Sequence, residues 1–497
     1  MKSLAYFLTV VLAATLITGC TDFAELEKDP NRAVTAPPSL IFRGIQTDMY
    51  FAPWGDEQRY NQFWCSNYNY YDDNEYNWTG ANLRFTTLKN VLKMEEEALT
   101  SGADAVNPYS ALGKFFRAYA YYDMTSRVGD LPLEQALSGD ENIAPAYSSQ
   151  KAIFAQVLTW LDEANSEFTT LIANIDLTLG GDIYFGNDLS KWQKVNNALR
   201  MRVLIALSKR ADESDLGVQA KMAEMVANPT KYPMMESNAD NMAYTFNSNL
   251  NKYPFNPDNF GFYALRYNTS ATYVNTLADL RDPRVFVVAE PATAKLAGGL
   301  TAADYEAYVG APSDEGLDDM STKVQNGEYS LINKERYFSS YEGERSIQIG
   351  YPEMCFNIAE AINRGWAAGD AADWYKKGIT ASMAFYGITD AIALNTYLAQ
   401  EKVAYKGGVE GLTQILTQKY LAFHQHSGLE AYYNWRRTGV PAFAQGGPGT
   451  GNGGVIPSRF QYPTSERDNN SANYKAALIS QFGSEVDDNT AKMWLIK

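Results

Sequence analysis

The chain's hydrophobic and polar positions alternate mainly with the period of an α-helix. From Tyr109 to Arg127, apolar side chains recur every three or four residues, and residues 150–170 and 190–210 show the same spacing. Such spacing places them on one face of a helix. The pattern predicts further helices at 271–281, 351–366, 371–386, 410–423 and 428–436. Many of these segments are neighbours, which favours tetratricopeptide-like helix pairs, although no clean repeat of about 34 residues is present.

Four long segments lack the helical pattern and contain many Gly, Pro, Asn and Tyr residues. They cover residues 50–84, 229–268, 287–345 and 440–470. Loops of this length in a compact protein usually carry function. No linker separates independent domains. The sequence therefore predicts one all-α domain over residues 41–497, in which a tetratricopeptide-like helical-pair scaffold carries long irregular loops.

The N-terminus has the pattern of a bacterial lipoprotein signal peptide. Lys2 precedes an apolar run from Leu4 to Ile17, which is too short to span a bilayer comfortably. Gly19 then leads to Cys20, an order that resembles a lipobox. We expect a signal peptide over residues 1–19, lipidation of Cys20 by acyl chains such as palmitate, and a polar, lipidated tether over residues 20–40. An ordinary cleaved signal peptide is the alternative.

Charge and rare residues exclude several classes of protein. With 42 Lys and Arg against 58 Asp and Glu, the formal net charge is −16, which disfavours nucleic acid as a partner. Only two His and three Cys occur, so neither a His-rich metal site nor a disulfide-built fold is expected. An exported protein can pair Cys65 with Cys355, and the sequence leaves this pairing open.

Aromatic residues are concentrated in residues 50–78, where they are interleaved with Asn, Gln and Asp. Aromatic rings stack on sugar rings while amides bond hydroxyl groups, and the same mixture suits a protein interface. The candidate ligand-binding residues here are Trp64, Asn67, Tyr68, Asn69, Tyr70, Tyr71 and Trp78. A second run, 244–273, is interpreted either as the opposite wall of a cleft or as a surface loop. Its candidate ligand-binding residues are Tyr253, Phe262 and Tyr263.

No motif for catalysis, metal binding or phosphate binding stands out. Residues 72–75 offer carboxylate oxygens without the spacing of an EF-hand loop, so a solvated turn is favoured and a Ca²⁺ site is left open. His424 and His426 diverge on a helix and are interpreted as packing or surface residues. The glycines of residues 449–454 are flanked by prolines, which favours a flexible loop over a phosphate site. We therefore expect no cofactor.

Several short motifs, in order along nearly the whole chain, resemble the SusD/RagB-like outer-membrane nutrient-binding lipoproteins, in particular their second SusD-like branch. Besides Cys20, the motifs are Asp29-Pro30-Asn31, Tyr121-Tyr122, Gly129-Asp130-Leu131-Pro132, Lys191-Trp192, Asn197-Ala198-Leu199-Arg200-Met201-Arg202, Asp282-Pro283-Arg284, Glu360-Ala361, Trp435-Arg436-Arg437-Thr438-Gly439, Ile456-Pro457-Ser458-Arg459 and Tyr462-Pro463. The resemblance transfers a role to Cys20 alone. The Trp435-Arg436-Arg437 and Tyr462-Pro463 motifs are interpreted as structural.

The resemblance implies an all-α, SusD-like fold and a lipid-anchored protein exposed at the surface of the outer membrane. It further implies a role as the lid of a SusC-like TonB-dependent transporter, to which the lid delivers bound glycan without any catalysis. An oligopeptide-binding lid is the first alternative. A helical-barrel glycosidase or lyase is less favoured, because only two adjacent His are available, and a purely structural partner of the transporter is the last alternative.

Overall fold

The computed structural model describes residues 35–69 and 73–497 of the chain. The predicted signal peptide, Cys20 and most of the predicted tether lie outside these residues, and so do Tyr70 and Tyr71. The first described helix begins at Pro38, slightly before the predicted start of the domain at residue 41. None of the helices in the described part of the chain is both long and apolar enough to cross a membrane.

Helices dominate the regular structure. The N-terminal half contains α1 (Pro38–Asp48), α2 (Asp56–Tyr60), α3 (Phe85–Thr100), α4 (Pro108–Val128), α5 (Gln150–Ala173), α6 (Leu189–Ala206) and α7 (Val218–Ala227). The C-terminal half contains α8 (Phe260–Tyr263), α9 (Ala271–Asp279), α10 (Val285–Val288), α11 (Thr293–Ala297), α12 (Leu317–Gln325), α13 (Lys334–Phe338), α14 (Tyr351–Asn363), α15 (Ala371–Phe385), α16 (Ala391–Leu398), α17 (Gly408–Ala422), α18 (Glu430–Thr438), α19 (Thr464–Asn469) and α20 (Ser471–Phe482).

The strands are short and pair into antiparallel two-stranded ribbons. These are β1 (Trp64–Ser66) with β5 (Tyr267–Thr269), β2 (Leu131–Pro132) with β3 (Tyr147–Ser148), and β4 (Met242–Tyr244) with β6 (Ser346–Ile349). The predicted all-α class is confirmed, and each predicted helix is present, as α4, α5, α6, α9, α14, α15, α17 and α18. Helices α1, α3, α7, α10, α16 and α20 were not predicted, and α2, α8, α11 to α13 and α19 lie in segments predicted to be loops.

Helix α4 lies at the centre of the helical part. Asn107 caps it, because its side chain accepts hydrogen bonds from the main-chain N–H groups of Tyr109 and Ser110. Pro108 suits the first turn, where a main-chain N–H has no helical partner. Helix α4 packs against α3 and α5, α5 packs against α6, and α14 contacts α6, α15 and α17. This arrangement agrees with the predicted scaffold of paired helices.

Hydrophobic side chains are buried in two main cores. One lies among α1 and helices α3 to α7 and includes Phe115 and Trp192. The other is built largely from the segments predicted to be loops and is rich in aromatic residues, among them Trp54, Phe255 and Tyr432. The long loops therefore pack against one another and against α17 and α18 as a second compact body, and do not simply cover the helices.

The C-terminal sequence motifs are structural, as predicted. Arg437 forms two hydrogen bonds with the carboxylate of Glu360, at 2.5 and 3.0 Å, and both side chains are buried. Arg436 donates to two main-chain carbonyl oxygens at 2.9 and 2.8 Å. The Tyr462 hydroxyl donates to the carbonyl of Asp130 at 2.7 Å. These bonds join the C-terminal segments to the helices.

A buried group of charged side chains connects α4, α6, α14, α17 and α18. Arg202 pairs with Glu353 at 2.5 Å, and the Tyr122 hydroxyl donates to Glu430 at 3.3 Å. Lys419 belongs to the same group. Several of these side chains surround a cavity of about 20 Å³, which is large enough for one water molecule. The ionic group therefore fixes the junction between the two halves of the scaffold.

Burial controls the protonation of this group. It raises the pKa of Glu430 from 4.5 to about 7, an effect that Arg202 opposes and Glu353 reinforces. Burial likewise lowers the pKa of Lys419 to about 8, against the attraction of neighbouring carboxylates. For Glu360, burial raises the pKa but the adjacent cations outweigh it, and the pKa falls to about 2. Glu430 is thus the carboxyl of this group that titrates near neutral pH.

Buried amide side chains bond the long loops to the helices. Asn61 donates from Nδ2 to the carbonyl of Gly428 at 2.7 Å and accepts at Oδ1 from the N–H of Tyr432 at 2.9 Å. Gln62 donates to the carbonyl of Ala444 at 2.8 Å and accepts from its N–H at 2.9 Å. We call Asn61 and Gln62 the amide clamp. The amide clamp holds the aromatic segment of residues 50–78 against α18 and against the loop that contains Ala444.

The substitution Glu430→Gln tests the titration of the buried ionic group. A carboxyl whose pKa is raised on folding stabilises the fold at low pH, and this contribution is lost as the pH rises through about 7. We expect Glu430→Gln to gain free energy of unfolding relative to the wild type between about pH 5 and about pH 7.5, by up to roughly 3 kcal/mol. Urea denaturation at both pH values measures the difference.

The control for this experiment is Glu410→Gln, because the Glu410 side chain is 61% exposed. It should follow the wild type at both pH values. A difference between Glu430→Gln and the wild type that does not change with pH would contradict the assignment.

Removal of one arm of the amide clamp should destabilise the fold. In Asn61→Ala the buried N–H of Tyr432 loses its acceptor, whereas the carbonyl of Gly428 keeps a bond from Gln58 at 3.2 Å. We expect a loss of about 2–4 kcal/mol in the free energy of unfolding. The control is Asn69→Ala in the same segment, where the amide is exposed and the loss should be about 0.5 kcal/mol or less. Equal losses of unfolding free energy in Asn61→Ala and Asn69→Ala would contradict the role given to the amide clamp.

Candidate functional site

The two aromatic segments singled out from the sequence are joined by strand pairing. Trp64 of β1 lies opposite Thr269 of β5, and the N–H of Asn67 donates to the carbonyl of Arg266 at 3.0 Å. We call this pair of strands the β1–β5 ribbon. The end of the second segment therefore lies beside the first, in one ribbon. The end of the ribbon brings residues 67–69 next to residues 260–266.

The most exposed aromatic side chains of the described residues lie at this end of the ribbon. They are Phe262 (63% exposed), Phe260 (45%) and Tyr68 (38%). Leu265 and Asn69 are exposed beside them. We call these five residues the exposed aromatic surface. Because large apolar side chains are normally buried, their concentration at one place indicates a binding surface.

A buried aromatic stack supports this surface. The ring of Phe255 lies between those of Trp54 and Phe338, at centroid distances of 4.6 and 4.9 Å. Phe260 meets Phe338 edge-on at 5.5 Å. The indole N–H of Trp54 donates to the hydroxyl of Tyr253 at 2.8 Å. Short helix α8 is therefore seated on a packed base, which holds its outward rings in place.

Four predicted ligand-binding side chains are buried and do not belong to the surface. Trp64 is 2% exposed, Asn67 3%, Trp78 5% and Tyr253 0%, so the expectation that they face a ligand is wrong. Trp78 stacks on Phe460 at 3.9 Å, and Trp64 meets Tyr267 edge-on at 4.7 Å. The amide of Asn67 bonds the main chain of Leu265 and the side chain of Asn268. Their neighbours in the second core, which are distant in sequence, explain the burial.

The remaining predicted residues lie at or near the surface. Those that belong to it are Tyr68, Asn69 and Phe262. Tyr263 is half-buried, with its ring 5.5 Å from that of Phe255. The predictions for Tyr70 and Tyr71 fall outside the described residues. Phe260 and Leu265 were not predicted from the sequence. They lie in the same 244–273 run, and their position beside the predicted residues was the available signal.

Arg266 is fixed in the middle of this region. Its N–H donates to the carbonyl of Tyr263 at 2.9 Å, and its carbonyl accepts from Asn67. Its guanidinium carbon lies 4.1 Å from the ring centroid of Tyr68, which is the geometry of a cation–π contact. Arg266 was not predicted from the sequence. Its side chain adds a positive charge beside the aromatic rings, Leu265 and the Asn69 amide of this surface.

A polar group formed by Lys252, Asp258 and Tyr341 lies on the loops that lead into this region. Lys252 pairs with Asp258 at 2.6 Å, and its ammonium group lies 4.5 Å from the ring centroid of Tyr341. The Tyr341 hydroxyl donates to the same carboxylate at 2.8 Å, and this bond raises the pKa of Tyr341. The charges of Lys252 and Asp258 therefore neutralise each other.

The described part of the chain contains no cluster of three or more His, Cys, Asp or Glu residues that suits a metal ion. In the acidic segment 72–75, the Asn74 amide is already bonded in both directions to the main chain of Ser66, at 2.8 and 2.9 Å. Asn74 thus serves the β1–β5 ribbon. Cys65 and Cys355 are buried free thiols, which answers the question of their pairing.

Both histidines are packing residues, one of the two interpretations given above. His424 stacks on Tyr273 at 4.3 Å and is 2% exposed, and His426 is 4% exposed. Burial lowers the pKa of His424 well below 6.5 and that of His426 to about 3. Both imidazoles are neutral and enclosed at physiological pH, so neither is placed to act on a bound molecule.

A family model described as "Starch-binding associating with outer membrane", SusD-like_2, matches residues 30–463. A SusD homologue from Bacteroides fragilis is 31% identical, with a TM-score of 0.85, and the match covers 93% of this chain and 100% of that one. A second SusD homologue from the same species is 28% identical, with a TM-score of 0.80 and the same coverage.

A more distant structure shares the fold. A chitin-binding SusD homologue from Flavobacterium johnsoniae is 19% identical, with a TM-score of 0.69, over 93% of this chain and 96% of that one. No curated protein matches this chain in sequence. The resemblance seen in the ordered motifs is confirmed both by the family model and by the fold, and the chain belongs to the SusD-like family of outer-membrane-associated proteins.

Proposed function

We propose that this protein binds an oligosaccharide nutrient at the exposed aromatic surface and leaves it chemically unchanged. The observation that carries the proposal is that the exposed rings of Tyr68, Phe260 and Phe262 and the exposed amide of Asn69 lie in the two segments that meet at the end of the β1–β5 ribbon. Aromatic faces pack on the C–H faces of sugar rings, and an amide both donates to and accepts from hydroxyl groups. The supporting stack holds the rings in place, so little conformational entropy is lost on binding.

The family relationship supports a glycan ligand. The family description names starch binding, and one protein of the same fold is a chitin-binding SusD homologue. Neither fixes the sugar bound here, because the surface is built from loop residues. The buried histidines supply no accessible base, and the proposed role requires no catalytic step.

We further propose that the protein is anchored by lipid on Cys20 to the outer membrane, faces the cell exterior and delivers its ligand to a SusC-like TonB-dependent transporter as its lid. The lipobox-like sequence and the outer-membrane association in the family description support this proposal. Several acyl chains give a stable anchor, since each buried methylene contributes about 0.8 kcal/mol. Failure to recover the transporter together with this protein from solubilised outer membranes would count against the partnership.

The ligand surface is tested by Phe262→Ala. Loss of this exposed ring should weaken binding of the preferred oligosaccharide by about fivefold or more without lowering the melting temperature. Calorimetric titration with starch, chitin and xylan oligosaccharides, and with peptide mixtures, measures the affinity. The control is Leu177→Ala, a similarly exposed side chain (85%) in the segment after α5, which should bind like the wild type.

Other outcomes of this screen decide between the alternatives. Binding of peptides and of no oligosaccharide would favour the oligopeptide-binding lid. Release of new reducing ends or unsaturated sugars during incubation would show an enzyme. If Phe262→Ala binds the glycan as tightly as the wild type, the proposed location of the binding surface is wrong.

The anchor is tested by Cys20→Ser. This change removes the thiol that lipidation requires, so the protein should lose labelling by radioactive palmitate and leave the outer-membrane fraction. Cys355→Ser, which alters a buried free thiol of the folded domain, is the matched control and should keep both the label and the location. Palmitate labelling of Cys20→Ser would contradict the anchor.

A further inference from the structure

The guanidinium group of Arg266 lies against Tyr68 of the exposed aromatic surface and has no acidic partner among the described residues. No carboxylate or other hydrogen-bonding group of the described residues pairs with the Arg266 side chain, which instead lies over the ring of Tyr68 at 4.1 Å. Several arginines elsewhere in the fold are matched by acids, for example Arg202 by Glu353 and Arg437 by Glu360. The position of Arg266 is therefore not explained by an internal ion pair.

The contact with Tyr68 leaves the hydrogen-bonding edge of Arg266 available. When a guanidinium stacks flat on an aromatic ring, its five N–H groups lie in a plane parallel to the ring and can donate to a ligand. The main chain of Arg266 is fixed on both sides by its bonds to Tyr263 and Asn67. Arg266 is partly exposed. The guanidinium of Arg266 is therefore preorganised for ligand binding.

Charge favours an anionic ligand at this place. The chain has a formal net charge of −16, yet the Arg266 guanidinium beside Tyr68 has no acidic partner among the described residues. In contrast, Lys252 on the neighbouring loop is neutralised by Asp258 at 2.6 Å. The planar fork of arginine matches a carboxylate through two parallel hydrogen bonds. A neutral sugar would leave this charge without a strong partner.

We propose that the ligand is an acidic oligosaccharide, in which the carboxylate of a uronic acid residue binds Arg266 while the sugar rings pack on Phe260, Phe262 and Tyr68. This inference rests on the proposed function and narrows it from glycans in general to carboxylated glycans. Binding is non-covalent, and the carboxylate is ionised at neutral pH.

The direct test compares oligosaccharides that differ in charge alone. Oligogalacturonate, oligomannuronate and oligoguluronate are titrated calorimetrically into the full chain beside their methyl esters of equal length. We expect at least one acid to bind about tenfold or more tightly than its ester. This preference should shrink as salt is raised, because salt screens the ion pair. If every ester binds as well as its acid, the proposal is wrong.

Variants then assign the preference to Arg266. Arg266→Gln should lower affinity for the acid about tenfold or more and leave the ester unaffected, and Arg266→Lys should recover part of the loss. Arg43→Gln, an exposed arginine on α1, is the control and should bind both ligands like the wild type. Equal affinity of the wild type and Arg266→Gln for the acid would overturn the assignment, with circular dichroism confirming that the variants are folded.

Two further kinds of ligand test whether the anionic group that binds Arg266 is the carboxylate of a uronic acid. Sulfated carrageenan oligosaccharides and short peptides with a free C-terminal carboxylate are titrated in parallel, and preference for either over every uronate would contradict the proposal. If neutral oligosaccharides bind and Phe262→Ala weakens them, but no acid is preferred, this inference fails and the proposed function stands. If no oligosaccharide of either kind binds, the proposed function fails.

Discussion

The long loops of this protein depend on hydrogen bonds from buried amide side chains to main-chain groups. A loop that is buried must still find partners for its N–H and C=O groups, and the ribbons here are too short to supply them all. Asn61 and Gln62 bond the main chain around α18 and the C-terminal loop, and Asn74 bonds both main-chain groups of Ser66. These bonds convert a region with little regular structure into a fixed support for exposed rings.

The two halves of the molecule handle polarity in different ways. In the helical half, charges are buried and matched, as in the pairs of Arg202 with Glu353 and Arg437 with Glu360. Breaking one member of such a pair leaves an uncompensated buried charge, so the pairs constrain the scaffold strongly. In the loop half, aromatic stacking and neutral amides contribute much of the packing, beside buried ion pairs such as Arg284 with Asp282. The rings that support the exposed aromatic surface are held mainly by contacts with other uncharged side chains.

Periodicity was sufficient to predict the scaffold but not the ligand-facing residues. The signal for α3 was present too, since Leu88, Val91 and Met94 are spaced as on one helical face and are buried. In the aromatic segment, Asn67 and Asn69 are the same residue type two positions apart, yet one bonds the main chain of Leu265 and the other is exposed. That difference is set by β5, about two hundred positions away, and no local pattern contains it.

In short helix α8, the residues that pack against the rest of the fold differ from the residues that are free to face a ligand. Its inward contacts are made by Phe260 and Tyr263, whereas Phe262 points outward and a side chain added at Gly261 would meet no atom within 4 Å. Replacement at these two positions therefore changes what the surface presents while the packed base stays the same. Substitutions at Gly261 and Phe262 can therefore change ligand specificity with little loss of folding stability. The same turn is a suitable place to engineer a new specificity.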